Sequence, residues 1–177
     1  DPSRSGKELM DEFIELHYGE AAAAVTSYVE LIHDNAQKRG LHRHCFGSAG
    51  DYGVDAAIVD EGMRLFAEAM EAAETDAVRG RVEKASITMH RAAIEPVVQW
   101  VMQQLEGRRI RGVEDVAGAV SDLQLPPDLA EEMRPRVRRF LSLCEKYNVN
   151  QVAERYSVDV AREMFRTLFK LEPGEAW

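Results

Sequence analysis

The chain has 177 residues, with 45% hydrophobic and 30% charged content and only 6 prolines. That is enough for one sizeable domain, or a bundle with a helical appendage, and it excludes long disordered stretches. Lys and Arg total 22 against 31 Asp and Glu, a formal charge of −9, which sets the chain against nucleic acid, whose phosphates select basic patches. Cys45 and Cys144 stand far apart without CxxC spacing, so neither a disulfide framework nor a zinc ribbon is indicated and the compartment stays open. No apolar run approaches the ~20 residues of a membrane span, and no basic start with an apolar stretch opens the chain.

The first residues, Asp1-Pro2-Ser3, lack an initiator Met, as they would in a mature protein or an excised segment. They read as a linker running into a capped helix, so the expectation taken forward is an excised segment. Ser5 and Glu8 have capping-box spacing, and a helix is predicted from Gly6 to Tyr18. Leu9, Phe13 and Leu16 recur at i, i+4, i+7, with Met10 and Ile14 widening the stripe, while Asp11, Glu12 and Glu15 take the wet side. Gly19 should end this helix as a left-handed cap. A second helix from Glu20 to Arg39 carries Val25, Tyr28, Val29, Ile32 and Ala36 on one face and ends in Lys38-Arg39-Gly40. Its alanine block, Ala21 to Ala24, admits close approach by a neighbour, although alanine is also simply the best helix former.

Gly40 to Val54 is the longest irregular stretch and holds four glycines. Loops of this length are uncommon without a function or disorder, which makes it the principal candidate site. A third helix begins near Asp55 and runs through Ile58, Leu65, Phe66, Ala69 and Ala73. Thr75-Asp76 then signals the start of a fourth and longest helix, to about Leu105, amphipathic through Met89 and apolar on several sides beyond it, with a kink at Pro96. After the basic connector Gly107 to Gly112, a short helix is predicted from Val113 to Leu123, a long one from Pro127 to Tyr147 with a bend at Pro135, and a last one from Ser157 to Lys170. No segment alternates with period two between turn signals. The expected fold is therefore all-α, a bundle of about six to seven helices with no sheet. Residues 1–106 form its core and 107–177 a helical extension packed on that core.

Chemistry-bearing constellations are few. His42-Arg43-His44-Cys45 brings two imidazoles and a thiol together, but no HExxH, paired CxxC or ExxH pair completes a metal set, so no metal and no cofactor are expected. An ordinary loop is the plain reading there. Substrate or partner contact by His42, His44, Phe46 and Tyr52 is the functional one. Asp11, Glu12 and Glu15 lie on a wet helix face, unlike the paired carboxylates of glycoside hydrolysis. His17, His33 and His90 read as structural, Cys144 as core in register with Phe140 and Leu141, and the arginines at 134, 136, 138 and 139 as a solvated helix face.

The order LMDEF (Leu9 to Phe13), HYGEAA (His17 to Ala22) and ELIHD (Glu30 to Asp34) resembles the helical region that follows the barrel in a family of large bacterial glycoside-hydrolase-like proteins, akin to hexosaminidases and α-glucuronidases. LFAEAMEAA, Leu65 to Ala73, and RVEKA, Arg81 to Ala85, are similar to its next elements, so the likeness spans about residues 7 to 98. His17 stands where that family commonly has an aromatic residue. The resemblance implies a helix pair packed beside a TIM barrel. The catalytic acids of such enzymes lie at barrel strand ends, so none falls on this chain. The expected function is a non-catalytic scaffold buttressing the catalytic barrel of the same polypeptide, with the 40–54 loop lent to a carbohydrate cleft. The docking surface would be Tyr18, Gly19, Ala21 and Ala22, more apolar than a self-sufficient bundle leaves exposed. The alternative is a self-standing helical interaction module or homo-oligomer, in which the apolar second half of the fourth helix finds a partner subunit.

Overall fold

Ser5 and Glu8 close the capping box that their spacing predicts. In the computed structural model, which describes residues 3–41, 47–106, 113–153 and 156–171, the Glu8 amide donates to Ser5 Oγ at 3.2 Å and the Ser5 amide to Glu8 Oε2 at 2.8 Å. Two donors that a helix start leaves free are thus satisfied. Helix α1, Gly6–Tyr18, runs from this cap to Gly19. Gly19 stands at φ +48°, ψ −120°, a glycine terminus as expected, but outside the αL basin. A 3-10 turn, Gly19–Ala21, leads into α2, Ala22–Lys38, and sets α1 beside α2.

Helix α3, Ala56–Ala72, starts at Asp55, whose carboxylate accepts from the Ile58 amide at 3.1 Å. Helix α4, Asp76–Ala93, starts at Thr75, whose Oγ1 accepts from the Val78 amide at 3.2 Å. Both caps use short oxygen side chains for orphan amides. α3 packs on α2 and on the 3-10 turn. Against α4 it presents Gly62, where a Cβ would stand 2.7 Å from Met89 Sδ. Tyr28 of α2 ties the layers together: its ring lies 4.5 Å from Phe66 and its hydroxyl 3.1 Å from Thr88 Oγ1. Ile14, Ala21, Val25, Leu65, Phe66, Ala69, Val82 and Met89 form the buried centre.

These elements make a first compact unit, Asp1–Ala92; the second is Ala93–Trp177. The second contains α5 (Glu95–Gln104), α6 (Val113–Val120), α7 (Pro127–Lys146) and α8 (Val158–Leu168). α8 shows the cleanest apolar period in the chain, with Val158, Ala161, Met164, Phe165 and Leu168 all buried. It packs on α6 and α7, and Met133, Val137, Phe140, Leu141 and Cys144 of α7 are buried too. Ser157 caps α8, its Oγ accepting from the Val160 amide at 3.2 Å.

The fold is all-α, with eight helices among the described residues. The expected fourth helix is two, α4 and α5, separated at Ile94. Pro96 sits in the first turn of α5 rather than kinking a continuous helix; there the amide it lacks is one that would have no partner within α5. Counted as one interrupted helix, the pair brings the number to seven, within the expected six to seven. The absence of any sheet needs one correction: Gln151–Ala153 (β1) pairs antiparallel with Tyr156–Ser157 (β2). Strands this short carry no readable alternation. The division of the chain falls at Ala92/Ala93, at the broken helix.

Candidate docking surface

The most unusual feature of the first unit is the outward face of α1. At about 100° per residue, Leu9, Phe13 and Leu16 fall within a ~60° sector, and Ile14 lies about 100° from Phe13. Ile14 is buried at 3% exposure, whereas Leu9, Phe13 and Leu16 are 41%, 56% and 77% exposed. The i, i+4, i+7 stripe that periodicity marks as the inner face is therefore the outer one, and α1 holds to α2 through its edge at Ile14. Phe13 stacks on His17 with ring centroids 5.0 Å apart, and His17 meets Tyr18 edge-on at 4.8 Å. Together they extend the apolar strip to the helix end.

Beside the stripe, α1 and α2 enclose a cleft of about 670 Å³. Met10, Ile14 and Val29 supply its apolar lining, and Asp11, Glu30 and Asp34 its carboxylates. Lys7 donates to Asp11 at 2.9 Å and lies 4.0 Å from Glu30. Its ammonium is held charged by the Asp11 hydrogen bond, which raises its pKa. His33, on an exposed part of α2, also lines this cleft.

The residues singled out from the sequence are placed differently. Ala21 is completely buried in the 3-10 turn against α3, so it belongs to the core and not to a docking face. Tyr18 and Ala22 are half-buried, and Gly19 is exposed. Burial raises the Tyr18 phenol's pKa. His42, His44 and Phe46 lie outside the described residues, as does Cys45. Tyr52 is exposed on the short 3-10 turn Gly50–Tyr52, and its hydroxyl accepts from the Gly47 amide at 3.3 Å. This part of the loop is pinned. Ser48 Oγ and its amide both donate to Asp51 Oδ2 at 2.8 Å, the buried Asn35 side chain donates to the Gly53 carbonyl at 2.9 Å, and Arg39 pairs with Asp55. Hydrogen bonding from Arg39, with that from the Ile58 amide, holds the Asp55 carboxyl below its ordinary value.

No known protein family, characterised protein or solved structure matches this chain.

Its other chemistry-bearing groups serve the fold. Cys144 is buried in α7, where desolvation raises its thiol's pKa, away from the reactive thiolate. Burial likewise raises the Tyr28 phenol. Among the described residues no three His, Cys, Asp or Glu side chains converge to hold a metal ion, and no helix is long and apolar enough to cross a membrane. In the second half of the expected fourth helix, Ile94, Val97 and Val101 are buried, leaving Met102 exposed, a smaller apolar surface than that of α1.

Arginines close helix ends, a role the sequence did not reveal. Arg81 donates to the His17 carbonyl at 2.8 Å, at the end of α1, and Arg79 to the Ala73 carbonyl at 2.7 Å, at the end of α3. Arg134 donates to the Phe169 carbonyl at 3.1 Å and lies over the Phe169 ring at 5.1 Å, at the end of α8. Each places a cation where terminal carbonyls and the helix dipole favour one. Arg134, expected on a solvated face, is thus part of the framework.

Proposed function

We propose that this chain is a non-catalytic helical scaffold whose α1 docks, through Leu9, Phe13 and Leu16, onto another folded protein surface. One observation carries the reading: three large apolar side chains, at the spacing that normally faces a core, stand 41–77% exposed together on one helix. Contiguous apolar surface of this kind on a charged protein marks an interaction site. The likeness of LMDEF, HYGEAA and ELIHD to post-barrel helices supplies the neighbour, the catalytic barrel of a glycoside-hydrolase-like enzyme within the same polypeptide. On this reading the chain buttresses the barrel, and Tyr52, with His42, His44 and Phe46 of the same loop, reaches a carbohydrate cleft.

Hydroxyl-radical footprinting tests the docking. In the longer polypeptide carrying a barrel, Phe13 and Met10 should be modified at least about threefold more slowly than in this chain alone, because burial removes them from solvent. Equal rates in the two proteins would show that nothing covers the stripe.

A further inference from the structure

We infer that the surface receiving α1 is an apolar groove edged by Lys and Arg, so that docking is steered by charge as well as driven by apolar burial. This rests on the docking reading above and adds the chemistry of the partner. Glu12, Glu8 and Glu15 occupy the sector of α1 next to the stripe, within about 120° of Leu9 at ~100° per residue. All three are exposed. On the other side, past Met10, the cleft brings Asp11 and Glu30, together with Asp34, which pairs with Lys38 at 3.6 Å. Between Ser3 and Asp34 the chain holds seven carboxylates against two cations, which is five of its nine net negative charges. Both cations are already engaged, Arg4 with Glu12 and Lys7 with Asp11.

An i, i+4, i+7 set of large apolar anchors on a helix is the pattern read by grooves that take an amphipathic helix. Acidic flanks select a basic rim, because matched potentials speed encounter and mismatched ones cost affinity. A second copy is a poor occupant. In an antiparallel two-fold pair each flank meets its own copy, which sets Glu8, Glu12 and Glu15 against themselves. An anionic lipid surface is repelled by the same charges.

The probes are two synthetic helical-hairpin peptides with the same leucine-lined groove, one edged by lysines and one by glutamates, titrated into the full chain by fluorescence anisotropy. The lysine peptide should bind at least about tenfold more tightly than the glutamate peptide at ~50 mM salt, and lose most of that advantage at ~500 mM as screening shortens to a few ångströms. E12Q/E15Q should weaken lysine-peptide binding about fivefold and flatten its salt dependence. F13S/L16S, checked as folded by circular dichroism, should abolish it. Failure of the lysine peptide to bind, equal binding of both peptides, or indifference to E12Q/E15Q overturns the basic rim, while footprinting of the longer polypeptide still judges docking. Undiminished binding to F13S/L16S would show charge acting without the stripe, and would overturn both.

Discussion

At Gly53 the backbone adopts φ +74°, ψ 13°, and an added Cβ would stand 2.7 Å from Leu41 Cδ1, 2.9 Å from Arg39 Cδ and 3.0 Å from Asn35 Nδ2. A left-handed L-residue costs roughly 1–2 kcal/mol, and crowding of three side chains adds to it. G53A should therefore lower the urea midpoint by the equivalent of about 2 kcal/mol without changing the m-value, as judged by a denaturation series. The glycines of the loop were visible in the sequence. That this one is held by Asn35, eighteen residues away, was not, because a buried amide on an otherwise apolar helix face looks like an ordinary surface residue. Cys144 was readable as core since it keeps register with Phe140 and Leu141, and all three are buried.

Helix starts were the most legible elements, because a cap lies within three residues of what it caps. Ser5, Asp55, Thr75 and Ser157 each accept from the amide three positions on. Helix ends were less legible. α2, α7 and α8 close with paired bonds from the two residues past the C-cap: Gly40 and Leu41, Asn148 and Val149, Lys170 and Leu171. The residue at positive φ is glycine in the first, asparagine in the second and lysine in the third. Lysine carries no local signal for that role. Since Lys170 adopts φ +54° with a side chain that disfavours it, K170G should stabilise the chain by about 1 kcal/mol. Differential scanning calorimetry measures this directly, and a lower Tm would mean that the lysine side chain contributes more than its backbone conformation costs. The arginine caps reach across 64 positions in one case, beyond anything a periodic pattern records.

At the scale of the whole molecule, the hydrophobic pattern yielded the all-α class and nearly every helix, but not which way α1 faces. Periodicity places Leu9, Phe13 and Leu16 on one side of a helix; whether that side meets protein or water depends on what is beside it. Of the expected docking corner, Ala21 is buried against α3, while the large exposed apolar side chains stand on the helix before it. The loop residues His42, His44 and Phe46 remain proposals from sequence, joined to the structure only through Tyr52. The break between α4 and α5 was foreshadowed by Pro96, whose place in a first turn the sequence does not distinguish from a kink.

Whether the exposed face of α1 is one that a neighbour covers is tested most directly by the thermal stability of F13S/L16S. In this chain alone, two substitutions on an exposed face should leave stability within about 0.5 kcal/mol and Tm nearly unchanged. In a longer polypeptide carrying the proposed barrel, the same pair should lower the Tm of the helical region by several degrees, as expected for a loss of about 2–4 kcal/mol of apolar burial. A large loss of Tm in the isolated chain would contradict the account, by showing that Leu9, Phe13 and Leu16 face inward after all.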